Sequence, residues 1–591
     1  MTKEIQKSSS KYIVTAVFAA IAVALYWFWA FPYRAALGYR EEMQLFQTTG
    51  TYFAGFALRP AGISIYIGEF LTQFFNNYWI GGAVMSLLMV LFGWACYLIC
   101  NLFAKKGRTV INLLLSLIPL IFLWLFLGNQ NVTLGFITAL LIVTFGAYIY
   151  ISTDADYTGV EKYLRLIVAT TLLYWLAGPC TIVFTLLVIA SGYISQSARS
   201  VAEKAIDAIL AIITIIANIY IWSRFITYPI SYQLIGIGYL LTPDVLKGDQ
   251  LIIEALCVIV PTVAYLMARG DASVKRIVPI LIFFLIVPAV RLYFKAYDKN
   301  TYRLIDYDYM VRANDWNGIL RYSDKHKPDQ IISVSATNLA SGMTGQLDSR
   351  AFDYYQNGPE GLIPPFSKET ISSWTTGEIF FQLGMINSAQ RLYFEGMEAI
   401  PNYNKSSRAV KRLAETAIIL CEYRLAEKYL RMLENTIFYR KWAQRNLQQI
   451  KDLTAISPPL YGQMRQRMLD EDYLFSETEL DKTLQQLFIK DPGNDLARQY
   501  LILYPLLQRD LDMFVQHMGV VAQSLPQYNP LLAQQALAFI SMKNRQPIPQ
   551  NIVSPMVEQS LHGFAKAWTS KNHDLIEPYR HTLYHYLISN E

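Results

Sequence analysis

The first 296 residues form a string of apolar segments, all but a short pair at 162–195 long enough to cross a membrane, and this leaves few architectures open. The segments fall at 12–31, 79–102, 109–127, 132–151, 162–177, 180–195, 205–222, 250–268 and 277–294. Backbone N–H and C=O groups in lipid must be satisfied within the protein, so segments of this kind are helices. The expected fold is all-α: a polytopic transmembrane domain of nine spans over 1–296, followed by a C-terminal domain over 297–591. Composition agrees, since a 591-residue chain that is 53% hydrophobic and 14% aromatic, with mean hydropathy +0.25, is too apolar for an ordinary soluble protein. A net charge of +6 is small for this length and argues against nucleic acid as a partner.

The first span ends in "YWFWAF", an aromatic belt, and is read as an uncleaved anchor. The pair of segments around Ala177-Gly178-Pro179 is the ambiguous joint, because Gly-Pro fits either a re-entrant turn or a kink in one long helix. Lys and Arg set the orientation. Lys3, Lys7 and Lys11, then Lys105, Lys106 and Arg108, Lys162 and Arg165, Arg199 and Lys204, and finally Arg269, Lys275 and Arg276 share one side if there are nine spans. That side is cytoplasmic. The expectation is a bacterial inner (cytoplasmic) membrane protein whose N-terminus is inside and whose first loop, 32–78, and C-terminal domain are periplasmic.

The polar half reads as helical repeats. Residues 374–401 superimpose on 413–439 with a period of 37, matching Gly384 to Cys421, Ala389 to Ala426 and Leu392 to Tyr429. Residues 310–328 and 493–518 have a similar helix–turn–helix pattern. The tail resembles tetratricopeptide repeats, with irregular spacing. It is read either as a solenoid that fills space or as a groove for a protein partner.

Cys96, Cys100, Cys180 and Cys257 lie in or beside apolar runs, and only Cys421 lies in the polar half, so no disulfide framework is expected there. All six histidines follow residue 300, which removes His from the chemistry of the membrane half. "DAD" at 154–156 and "DYD" at 306–308 match a metal–nucleotide motif, but no strand-rich nucleotide domain accompanies them. Glu254, four residues into the eighth span, is an intramembrane carboxyl near enough to the outer end to reach water.

The first loop concentrates the candidate chemistry. Its apolar residues Leu45, Phe46, Thr49, Tyr52, Phe53 and Phe56 follow helical spacing, and Arg59-Pro60-Ala61-Gly62 breaks the run. A second stripe then runs from Ile63 to Tyr78, with Ser64, Gly68, Thr72, Gln73 and Asn76 on its opposite face. Two amphipathic helices lying flat in the interface are expected, with Glu41 and Glu42 at their entry. This layout of span, charged outer loop, two interfacial helices, further spans and a C-terminal domain resembles the GT-C superfamily of membrane glycosyltransferases over roughly 1–295. The tail also resembles an uncharacterised group of bacterial multipass membrane proteins, which implies no activity.

The GT-C resemblance implies transfer of a sugar from a polyprenyl-phosphate donor to an envelope acceptor. Glu41 or Glu42 would be the general base, and Arg40, Arg59, Arg224 and Arg291 would meet the donor phosphate. Many such enzymes use Asp and a second acidic metal ligand. Here both acids are Glu with no histidine nearby, so no metal and no cofactor is expected. The residues also admit a structural reading, in which the glutamates sit at a helix start, favoured by its dipole, while Arg59 and Arg291 snorkel to the headgroups. The competing function is a non-enzymatic scaffold that binds partners through its repeats.

Overall fold

The computed structural model describes residues 2–104, 109–153, 157, 159–194, 200–226, 229–242, 247–269, 274–401, 405–452, 459–470 and 479–589. The "DAD" motif, Lys105, Lys106, Arg108 and Arg199, and the side chains of Lys3, Lys7, Lys11, Lys275 and Arg276, lie outside the described residues. The described chain is helical, with one isolated β-bridge, Ile237–Leu241, and no strand. It divides into two compact units. The first is Met1–Tyr302 together with Pro401–Ser407 and Asn435–Arg440; the second holds Arg303–Ile400, Arg408–Glu434 and Lys441–Glu591. Each is taken by itself.

The first unit begins with α1 (Thr2–Ala30), α2 (Arg34–Glu42), α3 (Gly50–Ala57) and α4 (Gly62–Thr72). Then come α5 (Tyr78–Phe103), α6 (Thr109–Phe126), α7 (Leu134–Ser152), α8 (Gly159–Ala177), α9 (Thr181–Ile194) and α10 (Val201–Trp222). A short turn of helix, α11 (Ile230–Gln233), precedes α12 (Lys247–Arg269) and α13 (Val274–Ala296); α14 (Lys299–Arg312) starts in this unit and has most of its length in the second. Among the described residues, eight helical stretches are long and apolar enough to cross a membrane, not the nine expected, because Gly159–Ile194 counts as one stretch of 36 residues.

That stretch doubles back. Lys162 of α8 pairs with Asp207 of α10, and Asn218 of α10 donates to Thr171 of α8 at 3.2 Å. Residues 162–171 of α8 thus run beside 207–218 of α10 in the same direction, which requires the chain between them to return. The reversal is the 3-10 turn Gly178–Cys180, where Gly178 takes φ +59°. The α8–α9 pair is therefore a hairpin rather than a kinked span. The α10 helix thus runs in the direction that nine separate spans would give it.

The first loop is also a hairpin, and it does not lie flat. Residues 44–49 are extended, so the helix read over 45–56 is reduced to α3. The α4 helix stands against α7. Thr138 donates to the Ser64 carbonyl at 2.6 Å, and a Cβ on Gly68 would meet the Gly135 backbone at 2.4 Å. The polar stripe Ser64, Gly68 and Thr72 is buried, while Ile67 and Phe70 are exposed. Polarity is thus inverted relative to a soluble amphipathic helix. Small and hydroxyl residues pack helix on helix, and large apolar ones face outward, as lipid requires.

The second unit is built from helix pairs. Thr370–Leu383 packs on Ile386–Glu398, and Ser407–Ile419 is followed by Tyr423–Glu434. Gly384 (φ +94°) and Cys421 (φ +62°), matched by the 37-residue period, occupy the same left-handed turn between paired helices. Asn314 and Arg509 hold that conformation between Lys299–Arg312 and Trp316–Lys325, and between Asp495–Gln508 and Leu511–Ser524. Both Asp308 oxygens of "DYD" accept from Arg408 Nη1, at 2.8 and 2.9 Å, and Asp306 accepts from Tyr322 at 2.8 Å.

The α8–α9 reversal has a direct test. In a chain with its five cysteines replaced by Ala, Tyr157→Cys and Ser200→Cys are expected to react with an impermeant maleimide from the same side of the membrane. Labelling from opposite sides would make the stretch one span.

Candidate functional site

The ends of α1, α6 and α13 meet in an aromatic cluster. Phe28 stacks on Tyr33 at 4.4 Å, Trp124 on Tyr293 at 5.6 Å and Tyr293 on Tyr297 at 5.2 Å. Beside it α2 buries Arg40, which is 5% exposed and lies 5.4 Å from the Trp29 ring. Arg40 donates to the carbonyls of Leu127 (2.5 Å), Asn129 (3.1 Å) and Val132 (3.4 Å). They lie in the turn from α6 to α7, where Asn129 also accepts from the Val132 N–H at 3.2 Å, and a guanidinium suits them in both charge and number of donors. The geometry gives Arg40 a role in holding the α6–α7 turn.

Glu41 and Glu42 close α2 rather than open the next helix, so the dipole there does not favour them. They are 4% and 1% exposed, and so are not solvated charge. Glu41 accepts from Ser407 Oγ at 2.8 Å and from Tyr439 Oη at 3.2 Å. Around it, Ser407 N–H donates to the Gln44 carbonyl at 3.1 Å and Thr48 N–H to the Asn435 carbonyl at 2.8 Å. The extended 44–49 segment thus receives two pieces of the C-terminal half. Glu41, Gln44, Phe46, Gln73, Ser407 and Tyr439 line a small pocket of about 250 Å³, its open mouth included.

A carboxyl that the sequence reading passed over lies on the adjoining hairpin. Glu69 is half-buried on α4 and accepts from the Tyr52 hydroxyl of α3; Gln44 donates to its backbone carbonyl at 2.7 Å. Burial pushes the Glu69 carboxyl up to about 7, against the pull of the Tyr52 hydrogen bond and the Arg59 charge. Burial and the Glu69 charge raise Tyr52 as well. Arg59, at the α3–α4 turn, lies 4.4 Å from the Phe56 ring. The available signal was compositional, since Glu69 is the one charged residue in "GISIYIGEFLT". Of the other arginines, Arg224 is exposed just past α10, over the Tyr220 ring at 4.9 Å, and Arg291 is exposed on α13. The two glutamates and four arginines singled out from sequence are thus spread over several elements, and Arg59 is the arginine whose charge acts on Glu69.

Glu254 is half-buried. Its Oε1 accepts from Gln250 Nε2 at 2.8 Å and faces Cys180 Sγ at 3.6 Å. No group of three or more His, Cys, Asp or Glu that could hold a metal occurs among the described residues.

A family model described as a family of unknown function, DUF6057, matches residues 8–590. No curated protein and no solved structure matches the chain.

Removing the Arg40 guanidinium takes a donor from the Leu127 and Val132 carbonyls, while the Asn129 carbonyl keeps the Val132 N–H. Arg40→Ala is expected to destabilise the first unit by about 2–4 kcal/mol, read as a lower Tm in detergent. Arg40→Lys should recover only part of this, because one ammonium cannot reproduce the planar fork.

Proposed function

Since the chain belongs to this family of unknown function, the site itself must carry the reading: we propose a membrane glycosyltransferase of GT-C type that takes a sugar from a polyprenyl-phosphate donor. The observation that carries it is Glu69, a half-buried carboxyl with proton affinity raised to near neutrality, set beside a tyrosine hydroxyl and within reach of an arginine's charge. A base poised near 7 takes a proton efficiently at working pH. In the proposed step the acceptor hydroxyl gives its proton to the Glu69 carboxylate and its oxygen bonds to the anomeric carbon. The bond from that carbon to the donor phosphate breaks, and the polyprenyl phosphate leaves with the electron pair. Arg59 is the cation assigned to the phosphate.

The basic-loop pattern supports an inner-membrane location with the first loop and the C-terminal half outside. The acceptor is then an envelope glycan or lipid. Glu41, already engaged by Ser407 and Tyr439, fits the role of an anchor for the C-terminal segments. The competing reading is a non-enzymatic scaffold whose helix pairs bind a protein.

In native membranes given a radiolabelled polyprenyl-phosphate sugar, Glu69→Gln is expected to lower transfer by about 10²-fold or more. Glu41→Gln should lower Tm with transfer largely kept. Full transfer in the Glu69 variant would remove Glu69 as the base, and parent membranes that transfer no more than membranes lacking the chain would favour the scaffold.

The pH dependence has a definite sign. A base must be ionised, so transfer should rise with a midpoint at about 7 and lose that limb in Glu69→Gln. Because the folded-state pKa is raised, the fold gains stability at pH below the unfolded carboxyl's value and loses it as pH rises through about 7. Tm in the parent should therefore fall across the window in which transfer rises.

A further inference from the structure

The two hairpins of the first unit meet tip to tip. Ala61 N–H donates to the Trp175 carbonyl at 3.0 Å, Ser64 Oγ to the Leu176 carbonyl at 2.9 Å and Trp175 Nε1 to the Ala57 carbonyl at 2.8 Å. Immediately beyond this contact lie Cys180 and, on α12, Glu254. Glu254 is seven residues past the start of α12 at Lys247, or about 10 Å along the helix axis at 1.5 Å per residue. From this geometry we infer that Glu254 is a reversible proton-binding site inside the membrane domain.

Charge and hydrogen bonding carry the inference. Among the described residues, the two groups that hydrogen-bond to the Glu254 carboxyl are the Gln250 amide and the Cys180 thiol, both neutral and both on Oε1. The other titratable groups facing this region are neutral acids too: Cys257 on the same helix with Cys96 and Cys100 of α5 behind it, Tyr174 of α8, and Tyr239 of the 229–242 loop. α6, which also packs on α12, carries no titratable residue. A carboxylate there would be a half-buried charge with no cation hydrogen-bonded to it among the described residues, a cost that one proton removes.

The site is built rather than incidental. Gln250 is fully buried, and its Nε2 also donates to the Ile235 carbonyl at 2.9 Å, which fixes the amide orientation. Its Oε1, on the same planar group that holds Glu254, is buried with no hydrogen-bond partner. Thr181 Oγ1, one residue past Cys180, is likewise buried and unpartnered. A carboxyl where discontinuous helices meet inside a membrane domain is the kind of place where membrane carriers hold coupling ions. The Glu254 site is separate from Glu69 and does not depend on the transferase reading.

An apolar carbodiimide tests it on the purified full-length chain in detergent. The protonated carboxyl adds across one C=N bond: its oxygen bonds to carbon and its proton goes to nitrogen. Migration of the acyl group to nitrogen then leaves a stable N-acylurea. Peptide mapping by mass spectrometry is expected to find Glu254 modified at neutral pH, with the labelled fraction falling as pH rises. Sodium ions should have no effect. Gln250→Leu, which removes a hydrogen bond that favours the ionised form, should shift the fall to higher pH, and Glu254→Gln should abolish the adduct. No adduct at Glu254 from about pH 5.5 to about pH 8, in protein whose Tm is that of the parent, would overturn the site. Protection by sodium would overturn the proton in favour of a metal cation.

Discussion

Within the first unit, the arrangement turns on one contact, the meeting of the α3–α4 and α8–α9 hairpin tips. A helix interrupted away from water exposes N–H and C=O groups that lipid cannot satisfy. Here each broken end supplies what the other lacks. Ala61 N–H and Ser64 Oγ reach carbonyls at the end of α8, and the Trp175 indole reaches back to the end of α3. Gly178 at φ +59° lets the second tip come close, since a Cβ there would lie 2.8 Å from that of Ala61. Without the pairing neither hairpin has a reason to stop where it does.

Each hairpin brings side chains to a level no straight span would choose. The α3–α4 hairpin sets Tyr52 against Glu69, while the α8–α9 turn sets Cys180 against Glu254. The two carboxyls are solved differently. Glu69 has a hydroxyl donor and the charge of Arg59. Glu254 has only an amide and a thiol among the described residues. The first suits a base that must ionise, the second a group that holds its proton. Arg40 serves neither and spends its donors on the α6–α7 turn.

The two halves of the sequence are interleaved in the fold. Pro401–Ser407 and Asn435–Arg440 belong to the first unit, where Ser407 and Tyr439 close over Glu41. This explains why the 44–49 segment is extended although its apolar spacing suits a helix. Its backbone finds partners in Ser407 and Asn435. Periodicity describes which face a helix would bury, but it is silent on whether a distant segment offers the backbone something better.

The helices were legible in the sequence because apolar length and the demand for internal hydrogen bonds leave no other choice. The 37-residue match was legible because a left-handed turn between paired helices selects Gly384 and recurs at Cys421. The arginine-rich first loop and the Gly-Pro joint were visible as irregularities, but their meaning was not. Whether Gly178 kinks or reverses the chain depends on the pairing of Lys162 with Asp207. What engages Glu41 depends on Ser407 and Tyr439, more than 360 positions away. The stripe Ser64, Gly68 and Thr72 looks like a wet face until Gly135 and Thr138 of α7 are placed against it. The sequence by itself determined which segments are helices and which are apolar. The tertiary structure decided which way each helix runs and what each buried charge meets, because both depend on contacts between residues far apart in the chain.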